Sequence, residues 1–310
     1  MRSNEIPAVL QLEGMKGFGP VKLNQLFDSL QRCESSLEYI IEFEESDLVD
    51  LLGFTSDEAQ AFVTKRESAK RLAEQWEASD WRLVTRFDAE WPERLPKSVK
   101  PWFFVLGSLS LFKAPAIGIG GSRDATDQTL RLTHVIANRL AEQGVVVVSG
   151  GARGVDTEAH AAALAVGGKT IMVLAQGLGT YQVSSEKREA INAGNLTVVS
   201  EFAPTDGWSS FRAMQRNQTV IGLSDCFVIV QSGTKGGTLD AGQKTVRMKR
   251  PLFIVTQEGE RAETFKGNEL LISKGGTPLP VSQTGDVTLE QLGPLMPERT
   301  RQLSVQQALF

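Results

Sequence analysis

Val145-Val146-Val147-Val148-Ser149-Gly150-Gly151-Ala152-Arg153-Gly154-Val155-Asp156 joins four consecutive valines to a glycine-rich turn and then to residues with helical spacing. A β-branched run favours a strand and the glycines a tight turn, while Ala159, Ala162, Ala163 and Val166 mark an apolar helix face. Strand, turn and helix start in that order gather backbone N–H groups and the positive end of a helix dipole around one point, where an anion can sit. A single turn of this kind is equally a tight corner that needs small residues. Repetition is what shifts the reading toward a ligand site.

Apolar runs recur at 116–120, 145–148, 170–175, 196–200, 226–231 and 251–255, with helical periodicity between them, for instance Leu130, Val135, Ile136 and Leu140. Alternation of buried strands with helices predicts a doubly wound, Rossmann-like α/β domain with a mostly parallel sheet covered on both faces. Ligands of such sheets bind beyond the carboxyl ends of the strands. Five small-residue loops are predicted there. They are Gly120-Gly121-Ser122-Arg123, the central turn with Gly150, Gly151 and Arg153, Gln176-Gly177-Leu178-Gly179, Ser200-Glu201-Phe202, and Ser232-Gly233-Thr234-Lys235-Gly236-Gly237-Thr238. Glycine admits a ligand to the backbone, hydroxyls donate to phosphate oxygens, and arginine offers a planar fork that fits phosphate. The combination points to an anion or nucleotide site.

Familiar nucleotide signatures are absent. Gly167-Gly168-Lys169-Thr170 has the ending of a phosphate-binding loop, but position 163 is Ala and the stretch precedes a strand. Gly118 and Gly120 lack the third glycine of a dinucleotide fingerprint. His134 and His160 fall in predicted helices without an adjacent nucleophile, so no catalytic residue is assigned. Asp156 is expected to cap amides or steady Arg153, and Glu201 to pair with an arginine of the site. Cys33 and Cys226 show no metal-ligand spacing, and neither a metal nor a cofactor is expected.

Three regions precede and follow this core. Residues 1–75 read as a small all-helical domain, with Leu12-Glu13-Gly14-Met15-Lys16-Gly17-Phe18-Gly19-Pro20 in the pattern of a helix-hairpin-helix turn and a weaker copy at Leu51-Leu52-Gly53-Phe54. Residues 76–115 read as a proline-broken connector with a short strand at 102–106. Residues 116–280 form the Rossmann-like domain, and 281–310 a tail. Residues 1–75 hold 8 Lys+Arg against 14 Asp+Glu, whereas residues 76–256 hold 20 against 16. The acidic balance favours docking of a partner over direct DNA contact for the helical part, and the basic balance is a hint of polyanion binding for the core. No apolar run approaches the roughly 18 residues of a membrane helix, so no membrane partner and a cytoplasmic location are expected.

In order, Phe104-Val105-Leu106-Gly107, Gly121-Ser122-Arg123, the Ser149–Asp156 turn with His160, Ser200-Glu201, Phe211 with Arg216-Asn217, and Gly267-Asn268-Glu269-Leu270-Leu271-Ile272 resemble the DprA/Smf family of bacterial DNA-processing proteins. The resemblance covers about residues 85–275. It implies a Rossmann-like domain, preceded by a helix-hairpin-helix or SAM-like domain, that binds single-stranded DNA, homodimerises and loads the recombinase RecA, without catalysis. Its phosphate site is expected at Gly121, Ser122, Arg123, Gly150, Gly151, Arg153, Arg216, Asn217, Lys235, Gly236, Gly237 and Thr238. Differences from the family pattern are Gln218 where a third basic residue is usual and Gln182 after Tyr181. Thr234–Thr238 is nearer to the phosphate loop of LOG-type proteins, and the alternative reading is therefore a LOG-type nucleotide-binding enzyme or sensor, with a use in phage defence. A winged helix at the C-terminus is not expected.

Overall fold

The structure is a computed structural model that describes residues 5–76, 78–257, 265–281 and 291–292. Six helices come first: α1 (Ile6–Glu13), α2 (Pro20–Arg32), α3 (Leu37–Ile40), α4 (Glu45–Leu52), α5 (Ser56–Thr64) and α6 (Arg66–Glu74). Their ends follow local rules. Gly53, at φ 72°, closes α4, since only a residue without Cβ adopts that left-handed conformation freely. Thr55 and Glu58 form a reciprocal capping box at the start of α5. The two hairpin turns meet at Phe18 and Phe54, whose ring centroids are 5.0 Å apart.

Nine strands form one sheet: β1 (Arg82–Thr85), β2 (Trp102–Leu106), β3 (Ala116–Gly120), β4 (Val146–Ser149), β5 (Thr170–Val173), β6 (Leu196–Ser200), β7 (Cys226–Ile229), β8 (Leu252–Gln257) and β9 (Thr277–Val281). Their order is β1-β2-β6-β5-β4-β3-β7-β8-β9. The pairs β1/β2 and β2/β6 are antiparallel and all others parallel. All six apolar runs of the sequence become parallel strands, as buried, near-continuous Val/Ile/Leu segments should. β1 and β9 were not expected. β9 carries Pro278 and Pro280 and sits at the sheet edge, where a missing N–H is tolerated, and it buries only Leu279 and Val281.

The remaining helices are α7 (Asp127–Glu142), α8 (Val155–Ala165), α9 (Ser185–Asn192), α10 (Ser210–Gly222), α11 (Gly237–Arg247) and α12 (Lys266–Ser273). Chain order runs outward from β3 to β6 on one side, and β7 to β9 on the other. The topological switch point therefore lies between β3 and β7, where a crevice opens at the strand ends. Gly167-Gly168-Lys169 precedes β5 and so lies at the amino ends of the parallel strands, opposite the crevice, which removes it from any phosphate role at the switch point.

The helical part is not a free appendage. Phe27 of α2 packs on Trp102 of β2 at 6.1 Å between centroids, within an apolar cluster that spans both regions. Lys100 Nζ donates to Glu13 Oε1 and Oε2 at 2.6 and 2.7 Å and to the Glu201 carbonyl at 3.1 Å. Trp102 Nε1 donates to Glu13 Oε1 at 3.1 Å. This is a buried, fully ligated ion pair across the junction. The tail read at 281–310 lies outside the described residues except at 281 and 291–292.

Candidate functional site

A cavity of about 450 Å³ occupies the switch point. Nine of the twelve expected site residues line it: Gly121, Ser122, Arg123, Gly150, Arg216, Asn217, Lys235, Gly237 and Thr238. Gly151, Arg153 and Gly236 do not. Gly151 packs its Cα side toward Met172, and Gly236 is the N-cap of α11 at φ 99°. Arg153 stands on the surface and pairs with Asp124. Its place three residues before Asp156 does not bring it into the cavity: its side chain is largely exposed.

Arg216 is a buried wall of the cavity. It is 5% exposed, reaching from α10 to the end of β4. A Cβ on Gly150 would fall 1.2 Å from its Nη1, so the glycine is the space the guanidinium occupies. Nη1 donates to the Val173 carbonyl at 3.2 Å and stands 3.9 Å from Asp156 Oδ2. Nε is buried and has no hydrogen-bond partner among the described residues. Burial pulls the Arg216 pKa down while Asp156 opposes that shift. Burial pushes the Asp156 carboxyl up, with Arg216 resisting. Asp225, the acid just before β7, pairs with Arg94 at 3.0 Å and not with Arg216. Asp156 also accepts from the Ala152 amide at 3.3 Å, the amide-capping role expected of it, and the arginine beside it is Arg216, not Arg153.

The front of the cavity is made by two loops tied together. Thr238 Oγ1 donates to the Gly121 carbonyl at 2.9 Å, which commits its proton to the loop rather than to a ligand. Asn217 Nδ2 donates to the Gly237 carbonyl at 3.3 Å. Ser122 Oγ accepts from the Asp124 amide at 3.1 Å, which leaves its own proton to donate. The Val155 amide is taken by the Ser122 carbonyl at 3.2 Å, so the start of α8 is closed. The start of α11 has no side-chain cap, and Gly237 and Thr238 at that start, where helix amides are unpaired and the dipole is positive, line the cavity.

The far end of the β7 loop is anchored by Asn268 of α12. Its Oδ1 accepts from the Ser232 amide at 2.7 Å, and its Nδ2 donates to the Val230 and Val255 carbonyls at 3.0 and 2.9 Å. Here the Gly267-Asn268 motif has a mechanical meaning that the sequence alone did not give.

Two of the five expected loops are elsewhere. Ser200 Oγ donates to the Gln176 carbonyl at 2.7 Å, the Gly177 amide donates to Asp206 O at 2.8 Å, and Trp76 covers Gly179. The β5 and β6 loops thus satisfy each other. Glu201 is buried beside Lys100, and burial pushes its carboxyl up; it forms no ion pair with an arginine of the cavity. His160 Nδ1 is 2.7 Å from Thr170 Oγ1, and burial holds it neutral with a pKa lowered to about 3. Among the described residues no His/Cys/Asp/Glu group could hold a metal ion, and no helix is long and apolar enough to cross a membrane.

Residues 82–291 match the family model described as DNA recombination-mediator protein A. The chain belongs to that family. Over 153 residues it is 33% identical to the DNA processing protein DprA of Streptococcus pneumoniae, a match covering 49% of this chain and 54% of the relative. The chain's match thus spans about half the length of that relative. The crystal structure of pneumococcal DprA superposes with a TM-score of 0.73 at 22% identity, covering 90% of this chain and 95% of that one. A Helicobacter pylori DprA structure, described by its single-stranded DNA binding mode, matches at 27% identity and TM-score 0.54, over 64% of this chain and 91% of that one. The superposition shows that the fold is shared with pneumococcal DprA.

Proposed function

We propose that this chain binds single-stranded DNA at the switch-point cavity and acts in DNA processing and recombination, protecting the strand and passing it to a RecA-type recombinase. The observation that carries the reading is the Arg216 guanidinium, buried at the cavity wall with a bare Nε. A charged donor in that state needs an acceptor, and a phosphate oxygen supplies one with charge assistance. Ser122, the amides at the start of α11, Arg123 and Lys235 would complete a phosphate cradle around it. Exposed Phe211, 76% open to solvent on the first turn of α10, offers a face on which a base can stack. The Helicobacter pylori relative, described as a single-stranded DNA binder, supports the same ligand.

The protein is a binder in this reading, without a chemical step, and homodimerisation and the recombinase partner follow the family. Phosphate-led binding gives affinity that falls steeply with salt and shows little sequence preference. Titration of a fluorescent oligothymidylate between about 50 and 200 mM salt tests it; affinity that stays flat across that range overturns it. A second reading rests on the cavity volume, which falls within the roughly 300–1,000 Å³ of small-molecule sites. It takes a free nucleotide as ligand, as in LOG-type proteins. Mononucleotides that displace the oligonucleotide at micromolar concentration would favour it. Light scattering that finds a monomer would remove the homodimer.

A further inference from the structure

Trp208 is the residue before the α10 N-cap Ser209, and it is 54% exposed. The chain has five tryptophans. Trp102 is fully buried, and Trp76, Trp81 and Trp91 are at least partly so. A large aromatic left in water at a fixed helix start stands out as a contact surface. Its position is set from both sides. Ser209 Oγ accepts from the Arg212 amide at 3.1 Å, which fixes the entry of the chain into α10. The Arg123 guanidinium carbon lies 5.5 Å from the indole centroid, a cation–π distance. Asp124, the acid next to Arg123, pairs with Arg153 instead. Arg123 lines the cavity and Trp208 stands just outside its rim.

We propose that Trp208 is a base-stacking residue that makes the cavity prefer an unpaired strand over a duplex. A phosphate held at Arg123 places the base of the same or the adjoining nucleotide within reach of the indole. An unpaired base has a free π-face to lay on it, whereas a base inside a duplex has both faces covered by its neighbours. The same arginine binds the phosphate and orients the ring, so the two contacts support each other. The inference rests on the phosphate reading above and adds the selectivity that phosphate contacts lack, because they carry no information about pairing.

The test compares three probes of one length on the full chain: oligothymidylate, an abasic oligonucleotide and a blunt duplex. The parent is expected to bind oligothymidylate about tenfold or more tightly than the abasic strand. Trp208→Ala should sharply reduce that difference by weakening oligothymidylate alone, with abasic affinity and salt slope unchanged, what remains being due to the Phe211 face. Trp208→Phe should restore most of it. Binding of oligothymidylate to the parent should also quench tryptophan fluorescence, and that quenching should vanish in Trp208→Phe. A Trp208→Ala variant that binds oligothymidylate like the parent overturns the proposal. So does one that loses oligothymidylate and abasic strand alike, since the tryptophan would then only position Arg123. Failure of the phosphate reading has a separate signature, salt-independent binding of the abasic strand to the parent.

Discussion

The two halves of the strand-end edge were built from the same vocabulary and came out opposite. On the β3, β4 and β7 side, glycine, serine and arginine loops surround a cavity and leave a serine proton, helix amides and one guanidinium Nε uncommitted. On the β5 and β6 side, Gln176–Gly179 and Ser200–Asp206 bond to one another and lie under Trp76 of the helical part. Glycine and hydroxyl content does not distinguish them. What does is where the uncommitted groups stand: Arg216, with its bare Nε, lines a cavity that a ligand can enter, whereas Glu201 Oε1 and Trp76 Nε1, also without a hydrogen-bond partner among the described residues, are buried away from it.

The largest expected effect lies on the closed side. Glu13→Gln removes the carboxylate that holds buried Lys100 by two hydrogen bonds and leaves Glu201 as the remaining acid beside it; it should cost about 3 kcal/mol of stability, read by urea unfolding, while the folded fraction binds DNA as before. If binding falls in proportion, the two sides are not separate. On the open side the order reverses. Gly150→Ala places a Cβ where Arg216 Nη1 now lies and should weaken oligonucleotide affinity by about 1.5–3 kcal/mol. Retained affinity in that variant would mean Arg216 does not meet the phosphate.

His160 gives an effect that is smaller per pH unit and is expressed through pH. Its folded pKa, near 3, lies below the unfolded value, so the unfolded chain binds the extra proton first. Stability is then fully present above about pH 6.5 and falls by at most about 1.4 kcal/mol per pH unit as the medium is acidified toward the folded pKa. His160→Gln should remove that slope from melting temperatures measured across the range; a slope left intact would assign it elsewhere. The smallest effect belongs to Arg153. Paired with Asp124 on the surface, it should change affinity by less than about twofold on replacement with Ala, against a large loss for Arg123→Ala. Equal losses would extend the cradle beyond the cavity.

Sequence carried the fold further than the site. Six valine- and isoleucine-rich runs are long enough to be read as buried strands, and each became one. β1 is four residues with no alternation, and β9 hides its period of two behind two prolines. Among site residues, the loops after β3 and β7 announced themselves by composition. The depth of Arg216 did not, because it depends on a vacancy at Gly150 that lies 66 positions away in the chain. Nor did the mutual closure of the β5 and β6 loops, which is a matter of tertiary hydrogen bonds. Trp208 was missed for the converse reason: a tryptophan in a sequence is read as core unless its neighbours show that it faces water.

The β7 loop is stapled at one end by Asn268 and at the other by the hydroxyl of Thr238. Ordering a free loop residue costs about 1–2 kcal/mol, and that cost has already been met in the folded protein. On the proposed single-strand reading, capture of a strand would not wait for a loop to close. The association rate would then be set by diffusion and by the attraction of Arg123 and Lys235 for the approaching backbone, and would rise as ionic strength falls. How long the strand stays is decided by the contacts made after arrival, so lifetime and arrival rate can be altered independently of each other.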